Sequence, residues 1–153
     1  ILYHKMNPKK LIMHAQNAQN YAKAKYSNYP VGAALLTSDD IVIKGCNIES
    51  KAYPTTLCAE RVAIFSAIAQ GFNNFKALAI ITKDGAFPCG SCRQIIYEYT
   101  DNIIIYSIDN KSFNATNNIK YNANVISIRF FTDGCFVKEY SSISVSSEFC
   151  IFF

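Results

Sequence analysis

The 153-residue sequence contains no apolar run of about 18 residues, the length a membrane-spanning helix requires. Its N-terminus lacks the charged, apolar and cleavage regions of a secretory signal in their usual order. A cytoplasmic location is therefore the expectation. The formal net charge is only +4, and lysines such as Lys9, Lys10, Lys23, Lys25, Lys44 and Lys51 are scattered rather than massed. No dense basic block or basic aromatic channel marks a nucleic-acid surface, so no nucleic-acid partner and no membrane partner are expected. Histidine is scarce: His4 and His14 stand too far apart for ligand spacing and read as surface residues. There is no internal repeat and no linker, so residues 1–153 read as a single domain.

Half of the residues are hydrophobic, enough for a substantial core at this length. From Asn7 to about Lys25 the spacing of Leu11, Ala15, Ala18 and Ala22 predicts a helix, ended by the residues before Pro30. Val31–Thr37 and Ile41–Asn47 read as two strands joined by a turn at Ser38-Asp39-Asp40. Thr55 or Thr56 is a candidate cap for a largely buried helix from about Leu57 to Gln70, stopped by Gly71. Lys76–Thr82 reads as a strand, Cys89–Tyr99 as a helix and Ile103–Ile108 as a strand. A hairpin followed by alternating helices and strands predicts an α/β fold with helices covering the sheet. Beyond it, the Asn-rich stretch 109–125 reads as loop and Ile126–Phe131 as a strand. The residues after Gly134 show no clear period.

Six cysteines need an account. A cytosolic chain of this size needs no disulfide staples, and Cys46, Cys135 and Cys150 read as small buried hydrophobes. Cys89 and Cys92 are different. Their two-residue separation, behind Pro88 and at the start of a helix, suits a metal and equally a redox disulfide. Cys58 opens the other predicted helix. Helix N-termini carry partial positive charge and unpaired N–H groups, which favour the thiolate, the form that binds metal. Three thiolates with a fourth position open describe a catalytic zinc site rather than a closed structural one. Glu60, two residues after Cys58, is too close to be a natural fourth ligand but well placed as a general acid and base. Arg61 and Arg93 are candidates to offset the thiolate charge by donating to sulfur, and Gly90 to leave room near the metal.

The pattern Cys58-x-Glu60 followed by Pro88-Cys89-x-x-Cys92 resembles the zinc-dependent cytidine deaminases. The segments Tyr29–Thr37, Gly45–Glu49, Ala52-Tyr53 and Cys58–Arg61 extend the likeness over roughly Asn7 to Ile108. The resemblance implies a three-layer α/β/α sandwich with a mixed sheet of about five strands. It also implies one zinc ion per chain, a homotetramer, and deamination of free cytidine and deoxycytidine in pyrimidine salvage. It further implies that Cys58, Cys89 and Cys92 bind zinc, that Glu60 shuttles protons and that Arg61 is held to the thiolates. Asn47 and Glu49 match a pair holding the ribose hydroxyl. Tyr29 stands where the family usually has a phenylalanine lining the base pocket, and Tyr53 matches a tyrosine near the subunit junction. The usual leucine-leucine-proline segment is missing from 121–131, although Phe131 falls near the offset of an aromatic that covers the base. Three rival readings follow from the same residues: a related deaminase acting on blasticidin S or a nucleic-acid base, a non-catalytic zinc-stabilised binding module, and a redox protein. The redox protein would not need Cys58, and the binding module would not need Glu60.

Overall fold

A computed structural model of the chain describes residues 7–101 and 103–111 with their side chains, and 122–131 and 134–144 as backbone strands. In chain order the elements are α1 (Pro8–Gln19), β1 (Gly32–Thr37), β2 (Val42–Cys46), a short 3-10 turn (Tyr53–Thr55), α2 (Ala59–Ala69), β3 (Phe75–Thr82), α3 (Gly90–Tyr99), β4 (Ile104–Asp109), β5 (Asn122–Phe131) and β6 (Gly134–Ser144). The strands form one mixed sheet in the order β2-β1-β3-β4-β5-β6, six where about five were expected. Among the described strands only β3 and β4 run parallel, from Ala77 opposite Ile104 to Thr82 opposite Asp109. The other neighbours, including the β1–β2 hairpin, are antiparallel.

Successive strand residues face opposite sides of the sheet. Ala34 and Leu36 of β1, with Ala77, Ala79 and Ile81 of β3, pack against Leu11, Ile12 and Ala15 of α1. On the other face Ala33, Leu35, Leu78, Ile80 and Ile105 meet Ala63, Ile64 and Ala67 of α2 and Ile96 of α3. The result is the three-layer α/β/α sandwich anticipated above. With both faces covered, the whole of β1 is buried, which is why its sequence is a continuous apolar run.

Two glycines set how the α2 layer sits. A Cβ at Gly45 of β2 would lie 2.3 Å from the Ala59 carbonyl oxygen and 2.6 Å from the Ala63 nitrogen. The start of α2 therefore rests directly on the β2 backbone. Gly71 adopts φ 90° just past the helix, where the Phe72 N–H donates to the Ala67 carbonyl at 3.1 Å. This left-handed stop is the one Gly71 predicts.

Several local expectations are corrected. Helix α1 is capped by Asn7, whose Oδ1 accepts from the Lys9 N–H at 2.9 Å, but it ends at Gln19 rather than near Lys25. Tertiary bonds win there: the Lys23 N–H donates to Asn47 O at 2.9 Å and the Glu49 N–H to Lys23 O at 3.1 Å. Ala22 consequently lies outside the helix. Neither Thr55 nor Thr56 caps α2. Thr55 belongs to the 3-10 turn, the Thr56 hydroxyl accepts from the Ser50 N–H at 3.1 Å, and Cys58 takes the cap position. The outer side of α2 is less covered than expected, with Phe65 exposed. Residues 122–125, read as loop, belong to β5: Ile105 pairs with Ile126, and Ser107 with Asn124. Within the aperiodic stretch after Gly134, the residues up to Ser144 form β6 against β5. Pairing on both sides supplies the order that asparagine-rich local sequence does not.

Candidate metal centre and active site

The cysteine cluster is built by two helix N-termini brought to one place. Cys58 is the N-cap of α2 and Cys89 the N-cap of α3, one residue before the first turns in which they were expected. Their carbonyls accept the first helical bonds, from Val62 N at 3.1 Å and Arg93 N at 2.9 Å. Neither side chain is used as a cap, which leaves both sulfurs available. Cys92 follows in the first turn of α3 and is buried.

The Cys58 and Cys89 sulfurs lie 3.8 Å apart, the Cys89 and Cys92 sulfurs 3.5 Å apart, and all three lie within 4.8 Å of one another. Thiolates at about 2.3 Å from a tetrahedral zinc ion stand about 3.8 Å from one another, close to the separations of this cluster. Three sulfur donors also suit a borderline-soft cation better than a hard one.

Charge around the cluster is balanced by one cation. Arg61 Nη2 donates to Cys58 Sγ at 3.6 Å and to the Thr56 carbonyl at 3.1 Å. Hydrogen bonding by Cys92, with Arg61 and Cys89 contributing, pulls the Cys58 thiol down to about 5. The bond to Cys58 in turn strengthens the hold of Arg61 on its proton. The Cys92 thiol is pushed far up by its bond to Cys58 and by burial, so the pair shares one proton in the order Cys58 thiolate, Cys92 thiol. Arg93 does not act as expected: its Nε donates to the Pro88 carbonyl at 2.8 Å, which ties down the turn before Cys89. Nor is Gly90 needed for clearance from the protein, since a Cβ there would meet nothing within 4 Å.

Glu60 sits in the first turn of α2 and is 5 % exposed. Burial pushes its carboxyl up to about 7, with the nearby Cys58 charge adding and bonds from its own N–H and the Cys92 thiol opposing. A carboxyl beside such a cysteine cluster and balanced near neutral pH can both take and return a proton.

The remaining expected residues fall into two groups. Asn47 and Glu49 follow β2 in a segment tied to Leu57, the neighbour of Cys58, by paired Ile48–Leu57 backbone bonds of 2.9 and 3.0 Å. Asn47 is buried; its Oδ1 accepts from Val31 N at 2.9 Å and its Nδ2 donates to the Tyr29 carbonyl at 3.0 Å. Glu49 accepts from the Tyr26 and Ser27 N–H groups at 2.8 and 3.2 Å and from the Ser27 hydroxyl. Those bonds hold its carboxyl below the usual carboxylate range. Both residues thus anchor the 26–31 segment, a structural duty that their position after a strand did not disclose. Tyr29, in that segment, donates its hydroxyl to Asp84 Oδ1. Tyr53 stands apart, 84 % exposed on the 3-10 turn. Cys46 is half-buried rather than buried. The readings of Phe131, Cys135, Cys150 and His4 concern side chains outside the described residues. Among the described residues, no helix is long and apolar enough to cross a membrane.

Sequence reasoning missed Ser27, Thr56, Thr82 and Asp84, which bond to Glu49, Arg61 and Tyr29 or to one another. The Tyr29 and Asp84 partners are 55 positions apart, and no local pattern announces them.

Comparison with known proteins agrees with this geometry. Residues 6–108 match the family model described as the cytidine and deoxycytidylate deaminase zinc-binding region. The chain is 48% identical over 96 residues to a cytidine deaminase of Sporosarcina psychrophila, covering 61% of this chain and 71% of that protein. It is 39% identical over 111 residues to a probable cytidine deaminase of Dictyostelium discoideum, covering 70% and 76%. The crystal structure of cytidine deaminase from Burkholderia pseudomallei superposes with a TM-score of 0.70 at 35% identity, covering 80% of this chain and 93% of that one. With a zinc-fitting sulfur cluster, a buried carboxyl beside it and a family match across two thirds of its length, this chain belongs to the zinc-dependent cytidine deaminase family.

Proposed function

We propose that the chain catalyses the hydrolytic deamination of cytidine and deoxycytidine, giving uridine and deoxyuridine with release of ammonia. The observation that carries this reading is geometric: Glu60, a carboxyl 5 % exposed in the first turn of α2, follows Cys58, whose sulfur lies within 4.8 Å of those of Cys89 and Cys92. Cys58, Cys89 and Cys92 hold one zinc ion per chain, and Arg61 offsets their charge through Cys58. When bound, zinc supplies the positive charge that makes a water a competent nucleophile near neutral pH. Glu60 takes a proton from the attacking water and delivers it to the ring nitrogen beside the reacting carbon. It then carries the second water proton to the departing amine, so that water is consumed and ammonia leaves. Burial serves this role, because a carboxyl at its ordinary value would be a weaker base at pH 7 and almost never protonated.

Asn47 and Glu49 receive the sugar hydroxyl, using the hydrogen-bonding capacity left over from the 26–31 segment, and the Tyr29 ring lines the base pocket. Tyr53 and Phe131 act across subunit boundaries in a homotetramer. The exposure of Tyr53 and of Phe65 on the outer side of α2 supports such an assembly. The chain works as one domain over residues 1–153, in the cytoplasm, in pyrimidine salvage. Ammonia release from a panel of cytidine, deoxycytidine, cytosine and deoxycytidylate tests the reading. The two nucleosides should react and the free base should not; turnover of deoxycytidylate alone would overturn it.

A further inference from the structure

Tyr29 differs from the phenylalanine that the family resemblance leads one to expect there, and its extra hydroxyl has a specific partner. The turn that carries it is held from below. Tyr26 N, Ser27 N and the Ser27 hydroxyl all donate to the Glu49 carboxylate, and Tyr29 N donates to Ser27 Oγ at 3.0 Å. Asn28 takes a left-handed φ of 52°, which asparagine tolerates better than most residues, and Asn47 grips the backbone at Tyr29 and Val31. With its backbone secured on both sides, the Tyr29 ring has two torsions left. These bring its hydroxyl to Asp84 Oδ1.

Asp84 lies in the loop between β3 and α3 that leads to Cys89. That loop is organised around Thr82, whose hydroxyl accepts from Ala86 N at 2.9 Å and lies 3.3 Å from Asp84 Oδ1 as donor. From β4, the Ser107 hydroxyl lies 3.0 Å from the Gly85 carbonyl and 2.9 Å from that of Ala86. Phe87, Pro88 and Cys89 follow directly. Asp84 is therefore the point at which the cysteine-bearing loop meets the segment anchored by Asn47 and Glu49. Burial and the Asp84 bond raise the Tyr29 phenol above its ordinary value, while the Tyr29 bond holds Asp84 below its own. The proton stays on the phenol, and the bond is a neutral donor to a carboxylate, a charge-assisted type.

The geometry points to Asp84 as a positioning residue: by accepting the Tyr29 hydroxyl, it latches the loop leading to Cys89 onto the turn carrying Tyr29, so that pocket wall and metal site keep one spacing. The tyrosine and the aspartate form a unit. The hydroxyl that would otherwise intrude polar character into the pocket wall is consumed by a partner outside it. Only the effect on substrate rests on the deaminase reading; the latch itself is a statement about two loops.

The test uses the zinc-loaded full chain with Asp84→Ala, Asp84→Asn, Tyr29→Phe and the Asp84→Ala/Tyr29→Phe double variant. Asp84→Ala should raise KM for cytidine about three- to tenfold, the share expected of one charge-assisted bond at a solvent-facing position, with kcat changing less than about twofold. Tyr29→Phe should reproduce that KM rise, and the double variant should be no worse than either single one. Asp84→Asn keeps an acceptor oxygen but not the charge and should fall between wild type and Asp84→Ala. Amide hydrogen exchange gives a reading independent of turnover. Tyr29→Phe should speed exchange in 83–88, and Asp84→Ala should speed it in 26–31. Additive KM effects, or exchange unchanged across the gap, would overturn the latch. If the wild type failed to deaminate cytidine, the proposed function would fall, and hydrogen exchange would still decide the latch.

Discussion

One methyl group at Gly45 tests how the fold delivers Cys58 and Glu60 to the metal position. In Gly45→Ala the new Cβ would lie 2.3 Å from the Ala59 carbonyl oxygen, 2.6 Å from the Ala63 nitrogen and 3.0 Å from the Ala63 Cβ. The first distance is about 1 Å short of ordinary contact, and backbone atoms cannot swing aside as a side chain can. Helix α2 must therefore lift from β2 at its start, where Cys58 is the cap and Glu60 lies in the first turn. Overpacking of this kind costs about 1–3 kcal/mol. For a chain of this size each kcal/mol lowers the melting temperature by about 2–4 °C, so a fall of roughly 2–12 °C is expected. Displacing one ligand should also weaken zinc binding about 10–100-fold, and a misplacement near 1 Å can cost on the order of 10² in kcat. Thermal melting, zinc content after dialysis against a chelator and steady-state deamination measure the three effects. Gly90→Ala is the control for stability, since its Cβ would meet nothing within 4 Å. If Gly45→Ala melted within about a degree of wild type and kept both zinc and kcat, close β2–α2 contact would not be what sets the site.

Three further outcomes follow from the anchoring segment and the exposed aromatics. Glu49→Ala should weaken nucleoside binding, read as a raised KM or a lowered inhibitor affinity, while leaving zinc in place; equal deamination of cytosine and cytidine would contradict the sugar-binding role. The Glu49 carboxyl is held below its ordinary value of 4.5, so its contribution to stability is present above that value and is lost as pH falls through the lowered one. The melting difference between wild type and Glu49→Gln should accordingly be flat above pH 4.5 and shrink on further acidification. Sedimentation should give a homotetramer, with Tyr53 and Phe65 covered by neighbours; a stable, fully active monomer would refute that assembly.

What could be read directly from sequence was chemistry set by short spacing. Cys89 and Cys92 lie three residues apart at the start of α3, so residue order alone brings their sulfurs near each other, and Glu60 follows Cys58 closely at the start of α2. Gly71 announced the end of α2 for the same local reason. Failures came where distant partners override local preference. Helix α1 stops at Gln19 because Lys23 pairs with Asn47 and Glu49. Thr55 and Thr56 look like caps, yet the chain turns once more before Cys58 begins the helix. Residues 122–125 become strand through pairing with β4 and β6. The Tyr29–Asp84 bond and the Glu49 anchor join residues 22 or more positions apart, which no periodicity encodes.

The proposed chemistry turns on Glu60 acting on protons rather than on the metal, and Glu60→Gln is the sharpest measurement of it. Glutamine keeps the shape and a hydrogen-bonding reach but cannot accept a proton and return it. Zinc per chain and the initial rate of ammonia release from cytidine are measured on the same preparations of wild type, Glu60→Gln and Cys89→Ala. Cys89→Ala removes one of the three clustered sulfurs and should lose both zinc and turnover. Glu60→Gln should hold one zinc per chain yet lose turnover by 10⁴-fold or more, because general acid–base catalysis contributes about 10²–10⁴ and this residue serves several proton transfers. A zinc-loaded Glu60→Gln enzyme retaining most of the wild-type rate would contradict the mechanism.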